Sequence, residues 1–174
     1  LGVGDDLHRR GAGADHGHPA GEVDVRLGPP AGVHRRALEG VDTGELGLVG
    51  RFAERVADYR AAVEQVPDSE VGAAVARALT GHDKVLADAG LRERLGVDLP
   101  WIDDTDLSAA ELDAVAAVVT TAAIGIANTG TIVLDHGPGQ GRRAASLVPD
   151  VHVCIVSVDQ IVSDVPEAVA RLIA

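Results

Sequence analysis

Val151-His152-Val153-Cys154-Ile155-Val156-Ser157-Val158 is apolar at nearly every position and rich in β-branched residues. A run this short and this continuously apolar reads as a strand buried on both faces. Asp164-Val165-Pro166-Glu167 follows it. An acidic cap with proline in the first turn opens a helix, and Val165, Val169 and Leu172 share one face of it. Working back from the strand, Thr131-Ile132-Val133-Leu134 and Val115 to Val119 are two more apolar strands. Between them and the amino-terminal side, Ser108-Ala109-Ala110-Glu111 has the form of a capping box. Strands that alternate with helices, each strand apolar throughout, predict an α/β fold: a mostly parallel sheet with flanking helices.

Further back the signals continue. Leu99 to Ile102 and Lys84 to Ala87 are short strands, and Leu91 to Leu95 is a helical stretch stopped by Gly96. Asp68 or Ser69 caps a helix carrying Val71, Val75 and Leu79 and closed by Gly81. Val49, Phe52, Val56, Tyr59, Val63 and Val66 are spaced 3, 4, 3, 4 and 3 residues apart. That spacing predicts one amphipathic helix running to Pro67, where the ladder must end. Residues 1–44 differ: they are rich in glycine, with Pro19, Pro29 and Pro30, and no period survives in them. Such a stretch cannot bury enough surface to offset its ordering entropy. It reads as a disordered or non-native extension, and residues 45–174 as the α/β domain.

Composition narrows the function classes. The chain has 174 residues, the size of one domain. Its core material is Ala, Val, Leu and Ile, with Phe52, Tyr59 and Trp101 as the aromatics. The formal charge is −12 and Lys84 is the single lysine. Both argue against nucleic acid, which draws on clustered cations and stacking aromatics. Cys154 is the one cysteine. It cannot form an internal disulfide or supply the several thiolates of an iron–sulfur cluster, and in its apolar run it reads as a small buried hydrophobe. No stretch is long and apolar enough for a membrane span, and the amino terminus has no signal core, so the cytoplasm is the default location. The chain begins at Leu1 and has no methionine, as a fragment or a literally translated start codon would.

Special residues concentrate between Asn128 and His152. Asn128-Thr129-Gly130-Thr131 combines an amide, two hydroxyls and a bare backbone, which suits an anion or carbonyl and equally suits a polar turn entering a strand. Gly137-Pro138-Gly139-Gln140-Gly141 leads directly into Arg142 and Arg143. Gly139 and Gly141 let backbone amides approach a ligand, and arginine forks bind carboxylate or phosphate. The spacing is neither Gly-x-Gly-x-x-Gly nor a P-loop, and a loop with solvated arginines is the plainer alternative. Asp135-His136 and His152 invite acid–base or metal chemistry, but no close trio of ligands accompanies them. The arginine pair is the better candidate for a small anionic ligand, because parallel sheets gather ligands at the carboxyl ends of their strands. The Thr129-Gly130-Thr131 turn would lie at the other end of the same strand.

These residues also carry a family resemblance. Ile126-Ala127-Asn128-Thr129-Gly130-Thr131-Ile132-Val133-Leu134 resembles the signature of the LUD domain of the lactate utilization protein C family. Gly139-Gln140-Gly141-Arg142-Arg143, then Ser146-Leu147-Val148-Pro149-Asp150-Val151-His152-Val153, is similar to the block that follows it. Asp159-Gln160-Ile161-Val162 and the closing helix also look like the family. The resemblance is specific over roughly residues 115–172, extends plausibly back to Leu46, and fails over residues 1–44. Family members usually carry Glu or Asp where this chain has Asn128, so any activity needing that charge is not implied here. The resemblance implies a fold like the sugar-phosphate isomerase and CoA-transferase group. It also implies an accessory role in bacterial oxidation of L-lactate to pyruvate, with iron–sulfur clusters held by partner proteins and none in this chain. The competing reading is an enzyme that binds a CoA- or phosphate-bearing substrate at the Gly137–Arg143 loop. The ligand-contacting candidates on either reading are Asn128, Thr129, Gly130, Thr131, Gly139, Gly141, Arg142, Arg143 and His152.

Overall fold

The computed structural model describes residues 47–174 and, before them, the backbone of Gly21–Leu27. That segment, β1, lies inside the span read from sequence as an extension without structure. It pairs antiparallel with β2 (Ala62–Pro67) on one side and with β8 (Val151–Ser157) on the other. Glu22-Val23-Asp24-Val25-Arg26-Leu27 does alternate polar and apolar residues, a period of two that surrounding glycines and prolines obscure. The rest of residues 1–44 lies outside the described residues.

Six strands form the main sheet in the order β2-β1-β8-β5-β3-β4. Here β5 is Ala117–Thr121, β3 is Val85–Leu86 and β4 is Trp101–Ile102. The β8, β5, β3 and β4 pairings are all parallel, so the fold is α/β with a mostly parallel sheet and flanking helices. A second sheet has the order β7-β6-β9, from Thr131–Val133, Ile124–Ile126 and Ile161–Val162. The β6–β7 pair is an antiparallel hairpin, and β9 lies parallel to β6. The hairpin was half legible: β7 was expected, and β6 was not read as a strand.

Alternation along the central strands divides the core. Ala117, Val119, Val151, Val153 and Ile155 face α2 (Val71–Ala78) and α3 (Ala89–Leu95) through Ala74, Val75, Leu79, Leu91 and Leu95. On the opposite face, Val118 and Leu86 pack on Leu112 of α4 (Ala109–Asp113) and Ala145 of α5 (Arg143–Leu147). Cys154 and Val156 on that face meet Phe52 and Val56 of α1 (Leu48–Asp58), with Ala127 and Ile161 of the second sheet.

Two sequence expectations change. The 3-4-3-4-3 spacing does not mark one helix: α1 ends at Asp58, Arg60 takes a left-handed φ of 65°, and Val63 and Val66 belong to β2. Residues three apart share a helix face but lie on opposite faces of a strand. Val66 accordingly joins the α2 side of the core and Val63 the α1 side. Secondly, the helix after Asp164, α6 (Val165–Leu172), is capped by Asp164 as expected, yet it docks through Ala168. Val165, Val169 and Leu172 share a face that remains 44–49% exposed. The capping box at Ser108 and Glu111 and the left-handed stop at Gly96 are both present.

Candidate functional site

Strand β5 is apolar until its last two residues, Thr120 and Thr121. Thr120 is 1% exposed, so its hydroxyl must be satisfied inside the protein. Its Oγ1 lies 2.8 Å from Nε2 of His152 on β8 and donates to Sγ of Cys154 at 3.7 Å. The Cys154 thiol in turn donates to the Thr121 carbonyl at 3.8 Å. The short contact to Nε2 pairs the hydroxyl with the imidazole, and which of the two donates follows the tautomer of His152. Burial lowers the His152 pKa to about 4. His152 is therefore a neutral imidazole at pH 7.

Thr121 connects this cluster to the glycine loop. Its amide donates to the Gly139 carbonyl at 3.0 Å and its hydroxyl to the Pro138 carbonyl at 2.9 Å. Gly139 has a φ of +79°, and a Cβ there would come 2.9 Å from Thr121 Oγ1, so only glycine suits both the backbone and the space. The loop is held from within by Gln140, which is 5% exposed. Its Oε1 accepts from the amides of Asp135 at 2.8 Å and His136 at 3.0 Å, and its Nε2 donates to Asp135 Oδ1 at 2.8 Å. Asp135 Oδ1 also accepts the Gly137 amide at 3.0 Å. The Gly137 amide, then Gln140, hold the Asp135 carboxyl below its ordinary pKa. Gly141 adds a second left-handed turn, at φ +67°. Far from being loose, this loop is set by one buried amide side chain.

The two arginines that follow have different fates. Nε of Arg142 donates to both carboxylate oxygens of Asp104, at 2.8 and 2.7 Å, and its fork donates to the Leu107 carbonyl. Arg142 thus ties the glycine loop to the segment between β4 and α4. Arg143, the first residue of α5, is exposed, and among the described residues its side chain has no hydrogen-bond or ion-pair partner. Of the pair expected to bind an anion together, only Arg143 presents an unengaged guanidinium.

Asn128, Thr129, Gly130 and Thr131 form the β6–β7 turn, at the far end of β7 from the glycine loop. Three residues of strand separate the two groups by roughly 10 Å. The turn sits on α1. A Cβ at Gly130, which has φ +65°, would lie 2.7 Å from the Arg55 carbonyl carbon, so the hairpin approaches the helix as closely as backbone allows. Asn128 Oδ1 accepts from Nη1 of Arg51 at 3.0 Å, and its amide nitrogen donates to the Ser163 carbonyl at 3.0 Å. Thr129 and Thr131 share one hydrogen bond between their hydroxyls at 2.8 Å.

The structure therefore splits the sequence candidates in two. Gly139 touches Thr121 at the carboxyl end of β5 and His152 touches the neighbouring Thr120, while Gly141, Arg142 and Arg143 continue the same loop away toward Asp104 and α5. Asn128 to Thr131 stand apart with Arg51. Thr120, Thr121, Gln140, Asp104 and Arg51 were not among the candidates. Two threonines closing an apolar run and a lone amide among glycines were the available signals for the first three; nothing in the sequence links Asp104 to Arg142 or Arg51 to Asn128. Among the described residues, no group of three or more His, Cys, Asp or Glu side chains is placed to hold a metal ion.

Comparison with known proteins bears on the same region. The family profile of the LUD domain matches residues 102–174. A lactate utilization protein C from Deinococcus radiodurans is 42% identical over 135 residues, 73% of this chain and 61% of that protein. The chain thus spans less than two thirds of the length of that relative. The 1.70 Å crystal structure of a DUF162 family protein from Deinococcus radiodurans is 37% identical, with a TM-score of 0.65 over 74% of this chain and 82% of that one.

Proposed function

The chain belongs to the LUD-domain family, and from that membership we propose that it serves bacterial L-lactate oxidation to pyruvate as an accessory protein without a redox centre of its own. The observation that carries this reading is the 42% identity to a protein named for lactate utilization. Electron transfer then falls to iron–sulfur partner proteins. A single cysteine in 174 residues is far short of the thiolates a cluster requires. No helix among the described residues is long and apolar enough to cross a membrane.

The test is genetic and biochemical. Disruption of the gene should abolish growth on L-lactate as sole carbon source while leaving growth on pyruvate intact. The tagged full chain should copurify from lactate-grown cells with proteins whose absorption and electron paramagnetic resonance spectra show iron–sulfur clusters. Unimpaired growth on L-lactate, with no cluster-bearing partner, would overturn the proposal.

A CoA- or phosphate-bearing substrate at the Gly137–Arg143 loop is less well supported. Arg142 is committed to Asp104 and Leu107, which leaves Arg143 as the loop's available charge.

A further inference from the structure

We propose that Arg51, on α1, and the Asn128–Thr131 turn together form a binding site for a small carboxylate. Arg51 lies outside the residues matched by the LUD-domain profile and carries no motif of its own. Its partner defines the site. Asn128 offers Oδ1 to Arg51, which leaves its Nδ2 with no partner among the described residues and so available as a donor. Because that partner is an amide and not a carboxylate, the hydrogen bond orients the guanidinium without neutralising it. Among the described residues the remaining N–H groups of Arg51 have no partner, so most of its fork is available.

The neighbouring groups are donors too. Thr129 and Thr131 need only one proton for the bond between them, so the other hydroxyl proton is left to give. Of the nearby acids, Asp58 pairs with Arg55 and Glu167 accepts from the amide and hydroxyl of Ser163, whereas Glu54, three residues along α1 from Arg51, has no partner among the described residues. The turn is rigid, since Gly130 is pressed against Arg55 and the amides of Ala127 and Asn128 donate to the carbonyls of Val162 and Ser163. A guanidinium held by an amide, with a hydroxyl pair beside it and no carboxylate bonded to it among the described residues, favours an anion on a protein whose net charge is −12. A planar carboxylate matches the arginine fork in two parallel hydrogen bonds, and the threonine pair can meet a hydroxyl on the adjacent carbon. The site stands on this geometry alone; only the choice of L-lactate as one probe rests on the proposed function.

Amide and arginine side-chain chemical shifts of the full chain, titrated separately with sodium L-lactate, sodium acetate and inorganic phosphate, test it. Saturable shifts at Asn128–Thr131 and at the Arg51 Nε–H with either carboxylate are expected. Arg51→Ala should weaken them at least tenfold. Asn128→Asp should do the same with an unchanged melting temperature, because the new carboxylate would occupy the arginine fork. Arg143→Ala should leave the affinity unchanged. Binding of acetate as tight as that of L-lactate supports the site and counts against the lactate role, so the two proposals fail separately. The assignment is overturned by shifts confined to the Gly137–Arg143 loop, by wild-type affinity in Asn128→Asp, by binding of phosphate alone, or by no saturable shift with any probe.

Discussion

The hydroxyl of Thr120 stands 2.8 Å from Nε2 of His152, across two parallel strands, with the Cys154 sulfur 3.7 Å away on its other side. This short polar line crosses a sheet face that is otherwise apolar, between the packing of α4 and α5 and that of α1. Its removal should be costly out of proportion to its size. Thr120→Val keeps the volume but deletes both hydrogen bonds and leaves the imidazole Nε2 without its partner. A buried polar atom so stranded costs about 1–3 kcal/mol. Urea unfolding of the variant should show that loss with an unchanged m-value. A stability equal to wild type would mean that water or another group satisfies His152.

The same histidine sets an acid limb of stability. Its folded pKa of about 4 lies below the ordinary value of 6.5, so the unfolded chain takes up the proton first. The contribution of neutral His152 is complete above pH 6.5 and is lost as pH falls from 6.5 toward 4. A fall from 6.5 to about 4 corresponds to an upper figure of roughly 3 to 4 kcal/mol. Carboxylates whose folded pKa is lowered, such as Asp135, lose their contribution at lower pH, on the other side of this window. Chemical denaturation at a series of pH values should show the decline between 6.5 and 4, and His152→Gln should flatten it. An equal slope in the variant would assign the effect to another group.

How much of this was legible beforehand depended on the range of the interactions. The strand Val151–Ser157, the strand read at Val115 to Val119 and found two residues on at Ala117–Thr121, and the capping box at Ser108 were readable because local pattern determines them. The mistaken helix across Tyr59 arose because Val63 and Val66 fit a helical spacing while serving opposite faces of a strand. Strand β1 was hidden by its glycine- and proline-rich surroundings, and its pairing with β2 and β8 is wholly non-local. For the candidate site, the residue types from Asn128 to His152 were readable, but not their grouping. That depends on contacts such as Arg142 with Asp104, 38 residues apart, and Arg51 with Asn128, 77 apart.

Arg142 and Arg143 are adjacent in sequence and should respond oppositely to truncation. Arg143→Ala removes an exposed side chain without a partner among the described residues and should leave the melting temperature unchanged. Arg142→Ala cuts the ties to Asp104 and to the Leu107 carbonyl. It should lower the melting temperature and accelerate amide exchange both in the Gly137–Gly141 loop and in residues 103–107. Equal behaviour of the two variants in calorimetry and exchange would show that the Arg142 tether carries no stability.

Gln140 offers the sharpest test of whether the glycine loop is preorganised. Its side chain replaces what secondary structure would otherwise provide, accepting two consecutive backbone amides through one oxygen and bracing Asp135 through its nitrogen. Gln140→Leu fills nearly the same volume in a position only 5% exposed, so packing is largely preserved while the polar function is lost. The amides of Asp135 and His136 would then lack their acceptor, at about 1–3 kcal/mol for each that stays buried. Opening the loop to water relieves that penalty, and the flexibility of Gly137, Gly139 and Gly141 makes opening the easier outcome. Limited proteolysis should therefore cut Gln140→Leu between Asp135 and Arg142 under conditions where wild type survives. Gln140→Glu should fall between the two, since it keeps the acceptor but sets a second carboxylate against Asp135. A Gln140→Leu loop as resistant as wild type would show that the Thr121 contacts to Pro138 and Gly139 suffice to hold it.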